Sequence, residues 1–100
     1  MLLFALLMII KDINLRHKLE PSLASRIKHN QISGKHDFHV LTTSIPPTQD
    51  EISELVDKGL VIESTFDEIV TGSTDIQNLQ NIATLDFVRL IALKSEWTSM

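Results

Sequence analysis

Four histidines and the adjacent carboxylates Asp67 and Glu68 are the residues of this chain to weigh first for chemistry. His36 and His39 flank Asp37 and Phe38 in a stretch that reads as strand. Residues three apart on a strand point to opposite faces, so these two imidazoles do not converge. His17 and His29 lie on separate elements, with no carboxylate at ligand spacing beside them. A metal site needs three or four convergent ligands, and the histidines therefore read as surface residues. Asp67 and Glu68 fall at a hairpin tip, where charges stay solvated. General acid–base work would need one of them buried with a raised pKa, and only Phe66 nearby is apolar enough. Serines and threonines are plentiful, but no Gly-x-Ser-x-Gly elbow occurs, and "TGST" (71–74) is not a phosphate-binding loop. The residues point away from an enzyme and call for no cofactor.

Composition narrows the alternatives. One hundred residues make one domain with one core, and 43% apolar with 22% charged residues is an ordinary globular balance. A net charge of −4 disfavours nucleic acid, which requires a concentrated basic face. The one modest basic cluster, Arg16, His17 and Lys18 with Arg26 and Lys28 beyond, is diluted by Asp12 and Glu20. The absence of cysteine excludes disulfides and thiolate chemistry. The opening "MLLFALLMII" is too short for a membrane span, which takes about 20 apolar residues. It also lacks the basic n-region of a signal peptide. It is expected to pack on the body of the protein or on a second copy.

The elements that must position any site follow from periodicity and punctuation. Pro21 opens a short helix to about His29, with Leu23, Ala24 and Ile27 on one face. "SGKHD" (33–37) reads as a turn and "FHVLTTSI" (38–45) as a strand ended by Pro46-Pro47. In that strand Phe38, Val40 and Thr42 share one face; His39, Leu41 and Thr43 share the other. Thr48 and Glu51 form a capping box for a helix whose stripe is Ile52, Leu55 and Val56, and Gly59 stops it. "LVIESTF" and "IVTGST" form two strands around Asp67-Glu68, with Gly72 marking a bulge or a close backbone approach. Thr74 and Gln77 repeat the capping pattern before a helix that turns Ile76, Leu79 and Ala83 inward. "FVRLIAL" (87–93) closes the series, with Phe87, Arg89, Ile91 and Leu93 on one face and Val88, Leu90 and Ala92 on the other.

Strand, helix, strand, strand, helix, strand is the order of the split βαβ, or ferredoxin-like, α+β sandwich. Residues 1–37 form an apolar and helical extension, and residues 38–100 form the sandwich. Both helices cover one face of a four-stranded antiparallel sheet. The other face can stand in water only if it is polar. Yet the last strand is apolar on both sides apart from Arg89 and Lys94, and Leu41 lies opposite the Phe38–Val40 face. Some of the open face should be covered by the leader, by the first helix or by another protein. An RNA-recognition domain shares this topology but needs aromatics on its central strands, where this chain offers His39 and Leu41 or Ile69 and Thr71.

The stretch "GLVIESTFDEIVTGSTDIQNLQNIATLDFVRLIALKSEW" (59–97) resembles the propeptide domain of subtilisin-type serine proteases, whose free-standing relatives are protease inhibitors. The matching parts are Gly59, the strands Val61–Thr65 and Ile69–Thr71, the helix Thr74–Ala83 and the Leu85-x-x-Val88 entry to the last strand. "LEPSLASRI" (19–27) is similar to the short helix that precedes this domain in some members. The resemblance implies an inhibitor or folding helper of a subtilisin-like serine protease. Its open sheet face would lie on two protease helices, and its C-terminal tail would enter the substrate cleft. The sheet contacts would come from among Leu41, Phe87, Arg89, Ile91 and Leu93. The tail would be Ser95, Glu96, Trp97, Thr98, Ser99 and Met100, with Met100 in the primary pocket. Where the family places helix-capping carboxylates, this chain has Ala92 and Lys94, and Glu96 is left to serve. The other reading is a structural domain forming a homo-oligomer through the open sheet face or the apolar N-terminus. Trp97 fits either a residue anchoring the last strand or a partner contact.

Overall fold

In a computed structural model, the structure describes residues 18–97. The expectations for the apolar leader, His17, Thr98, Ser99 and Met100 lie outside these residues. Helix α1 (Pro21–Lys28) is followed by β1 (Lys35–Thr42), α2 (Gln49–Asp57), β2 (Val61–Phe66) and β3 (Ile69–Asp75). A 3-10 turn (Ile76–Asn78), α3 (Leu79–Ala83), β4 (Val88–Leu93) and the short α4 (Lys94–Trp97) complete the chain. The four strands form one antiparallel sheet in the order β2-β3-β1-β4. That order, with α2 and α3 in the two β-to-β connections, is the ferredoxin-like α+β sandwich.

Alternation along β1 decides which side is covered. Phe38, Val40 and Thr42 are buried, while His39 and Leu41 between them are only partly so. Across the ladders Phe38 meets Gly72 and Leu93, and Val40 meets Val70 and Ile91. These side chains pack with Leu55, Leu60, Leu79 and Ile82 into a single core. Thr42 is a polar residue on this side, and its hydroxyl donates to the Glu68 and Ser44 carbonyls at 3.1 and 3.0 Å. That pairing offsets the cost of burying it.

Helix α2 is defined at both ends. The Thr48 hydroxyl accepts from the Glu51 amide at 3.2 Å, and the Glu51 carboxylate accepts from the Thr48 amide at 2.8 Å. The capping box predicted from sequence is present in both directions. That backbone donor is the main reason the Glu51 carboxyl sits below its ordinary pKa. At the other end Gly59 has φ +104° and the Leu60 amide reaches back to the Leu55 carbonyl at 3.1 Å. This is a Schellman closure, with Leu55 and Leu60 both buried.

The second connection departs from its expected form. The residue that caps it is Asp75, whose carboxylate accepts from the Gln77 amide at 2.9 Å; Thr74 does not. Thr74 still belongs to β3 and turns inward. There it donates to the Gly59 carbonyl at 3.0 Å and accepts from the Asn78 amide nitrogen at 3.1 Å. The two crossovers are thereby tied together at Gly59. Strand β1 also begins three residues earlier than its β-branched stretch suggests, because Lys35, His36 and Asp37 pair with Asp75, Thr74 and Ser73.

Residues 18–28 add to the same core. Leu19 forms a parallel bridge to Ile91, and the Glu20 amide donates to the Ile91 carbonyl at 2.9 Å. Glu20 then caps α1 through its carboxylate, and Leu19 and Leu23 are buried among the core side chains. The first helix therefore contributes to one core shared with the sandwich.

Candidate protein-binding face

The face of the sheet turned away from the core is built by register. Phe66 pairs with Ile69, Ile69 with Leu41, and Leu41 with Leu90. One apolar row thus crosses all four strands at the end of the sheet marked by the Asp67-Glu68 turn. Next to it, Ser64 faces Thr71, Thr71 faces His39, and His39 faces Ala92. Beyond that lies a mixed row of Val61, Ser73 and Asp37. The outer end of the apolar row is the accessible one, since Phe66 is 74% exposed. Ile69, Leu41 and Leu90 are half-buried, and Ala92 is fully buried although it points away from the core.

The polar row is held by specific contacts. The His39 Nδ1 and the Thr71 hydroxyl oxygen are 2.8 Å apart. Burial holds the His39 pKa below its ordinary value, and the charge of Lys94 lowers it further. Lys94 follows β4 directly and pairs with Glu63 on β2 at 3.6 Å, so one ion pair joins the two edge strands across the face. Both partners are about two-fifths exposed, and such a pair contributes roughly 0–1 kcal/mol. At the same end an open cleft of about 600 Å³ is lined by Lys35, His36, Asp37, Ser73, Leu93, Lys94 and Ser95.

Two bulges set this geometry. In β2 the register slips between Ile62 and Ser64, leaving Glu63 as the extra residue. The slip falls opposite Gly72, where a Cβ would come within 2.5 Å of the Val61 carbonyl oxygen. The close approach expected at Gly72 is the reason no side chain stands there. In β4 the register slips opposite Leu41 and Thr42, leaving Arg89 unpaired and exposed. The extra residue reverses parity, so Val88 joins Ile91 and Leu93 on the core side.

The expected partner residues are therefore divided. Leu41 lies in the apolar row, and Arg89 is exposed at the bulge. Ile91 and Leu93 are 0% and 4% exposed and pack into the core, so they leave the candidate surface. Phe87 is half-buried against the same core. Ser95, Glu96 and Trp97, expected as the start of an extended tail, instead form with Lys94 a helical turn that lies beside β1 and β4. Phe66, Ile69 and Leu90 were missing from the expected set. The two-residue turn at Asp67-Glu68 was the signal that could have found the first two, since it forces Phe66 opposite Ile69; Leu90 joins them only through the bulge in β4.

Among the described residues no group of three or more His, Asp or Glu side chains is placed to hold a metal ion. Also among them, no helix is long and apolar enough to cross a membrane. Comparison of the chain with protein-family models, with curated proteins and with solved structures finds no match.

Proposed function

We propose that this chain is a non-enzymatic protein-binding module that docks through the open face of its sheet. The observation that carries the reading is the apolar row Phe66–Ile69–Leu41–Leu90, with an exposed aromatic side chain at its end. An aromatic anchor flanked by aliphatic residues is the usual centre of a protein interface. The neighbouring row of Ser64, Thr71 and His39 supplies a polar margin. The partner class follows from the sequence resemblance: a subtilisin-like serine protease, inhibited or assisted in folding. Tail insertion in that reading falls to Thr98, Ser99 and Met100 beyond α4, with Glu96 and Trp97 at its base.

The test is inhibition of a subtilisin-type protease by the intact chain, by Phe66→Asp and by a version ending at Trp97. Removing a hot-spot aromatic costs about 2 kcal/mol, or roughly a 30-fold loss of affinity. Inhibition by the intact chain that falls that far in Phe66→Asp supports the face. A parallel fall in the shortened chain supports the tail. No inhibition by the intact chain removes the protease from the reading.

A second reading is favoured by the position of Phe66 and Val61 on an edge strand, 74% and 58% exposed. The same face would then join two copies of the chain. Sedimentation across a concentration series separates the two, because a homo-oligomer dissociates on Phe66→Asp whether or not a protease is present.

A further inference from the structure

The charges along the open face are sorted by edge. Residues 61–68, which make β2 and its turn, hold Glu63, Asp67 and Glu68 and no lysine or arginine. Residues 88–94, which make β4 and the residue after it, hold Arg89 and Lys94 and no carboxylate. Lys94 and Glu63 meet within one copy at 3.6 Å. The Arg89 guanidinium and the Asp67 and Glu68 carboxylates make no ion pair with a described residue. These groups stand at opposite ends of the apolar row, since Asp67 follows Phe66 and Arg89 precedes Leu90. An apolar row with one acidic end and one basic end is a surface that can match itself.

Two copies packed face to face in a closed dimer are related by a two-fold axis lying in the plane between them. Two directions of that axis lay row on row. With the axis along the row, Phe66 lies over Phe66, the two acidic turns come together, and Arg89 stands against Arg89. With the axis along the strands, through the middle of the row between Ile69 and Leu41, each row is reversed on the other. Phe66 then lies over Leu90 and Ile69 over Leu41, and the acidic turn of each copy meets Arg89 of the other. Facing like charges oppose association and facing opposite charges favour it, so the reversed arrangement wins. The next row follows, with Thr71 of one copy over His39 of the other, polar against polar.

We infer that the open face joins two copies of this chain in the reversed arrangement, with Arg89 of each copy against the Asp67-Glu68 turn of the other. The inference rests on the self-association reading above and deepens it by naming the contacts that hold the dimer. The surface is small: three inter-strand spacings of about 4.8 Å make the row roughly 14 Å wide. A face of that width lies at the low end of interface sizes, and the dimer depends on its charges. Association should therefore weaken as salt is raised.

The test uses the full chain, unsubstituted first. Within one copy Phe66 and Leu90 are separated by the same roughly 14 Å, too far for a nuclear Overhauser contact. In a sample mixed from labelled and unlabelled chain, contacts between the Phe66 ring and the Leu90 methyl groups are expected, and they can arise only between copies. Sedimentation over a concentration series then compares Arg89→Glu with the double variant Asp67→Asn, Glu68→Lys. Asparagine tolerates the positive φ of 52° at position 67, so the turn is kept. Every contact occurs twice in the dimer, so a loss of about threefold at each becomes about tenfold in the dissociation constant. Each variant alone should dissociate at least that much more readily. An equimolar mixture of the two should recover a 1:1 dimer, because each acidic edge then faces a basic one. Contacts of Phe66 with Phe66, a dimer unmoved by Arg89→Glu, or a mixture that fails to associate although both amide spectra show folded chains would overturn the inference and leave self-association standing. A chain that stays monomeric at every concentration would overturn both.

Discussion

The two faces of the sheet are made by the same four strands and differ in almost every respect. Toward the helices, Phe38, Val40, Val70, Val88 and Ile91 are each at most 1% exposed. Away from them, the same strands present Asp37, His39, Leu41, Ser64 and Thr71. One face is a sealed core and the other is a row of apolar residues beside a row of polar ones. The difference shows that burial on one side of a pleated sheet does not prevent an independent surface on the other, since neighbouring residues point opposite ways.

That contrast can be tested at its strongest point with Phe38 and Phe66. Phe38→Ala empties a fully buried site and should cost about 3–5 kcal/mol in chemical denaturation. Phe66→Ala should change stability by no more than about 0.5 kcal/mol, the range of an exposed substitution. Similar costs at both positions would mean that Phe66 is buried in solution, by the leader or by a second copy.

Gly72 tests the join between the faces. A Cβ there would press on the Val61 carbonyl, and the Leu60 side chain is 3.1 Å away. Gly72→Ala should therefore cost about 1–3 kcal/mol, the range for an overpacked site. Thr48→Ala, which removes the cap of α2 from the covered side, should cost about 1 kcal/mol. Circular dichroism during urea titration measures both.

The smallest effect belongs to His39 on the open face. Its pKa is lowered in the folded chain by burial and by Lys94. The unfolded chain therefore binds a proton more readily in the window between the lowered folded pKa and the ordinary value of about 6.5. Stability from this group is fully present above that ordinary value and is lost as pH falls through the window. His39→Gln should flatten that part of the stability profile. An unchanged slope would assign the pH dependence to another group.

Much of the covered face was legible in the sequence. Alternation grouped Phe38, Val40 and Thr42 on one face of β1, and the structure shows that face to be the covered one. The Thr48–Glu51 box and Gly59 fixed both ends of α2, because those caps depend on chemistry within the segment itself. The open face was less legible. Alternation alone placed Arg89, Ile91 and Leu93 together, and a single unpaired residue in β4 overturned that arrangement. A bulge is a property of two paired strands, so one strand's pattern does not carry it. The same reason explains Thr74 and Asp75: both can cap, and the strand's length decided which one does. Phe66 was missed because its neighbours across the sheet, rather than along the chain, make it part of a site.

The two edges of the sheet also bear on how the protein behaves when concentrated. An unpaired edge strand is a template on which another chain can add, and repeated addition builds a fibre. Here the β4 edge is occupied by the protein's own backbone at Leu19 and Glu20. The β2 edge is interrupted by a bulge carrying the charged side chain of Glu63. Crowding should therefore favour contacts between faces, which end at a dimer, over strand-by-strand growth, which has no natural end.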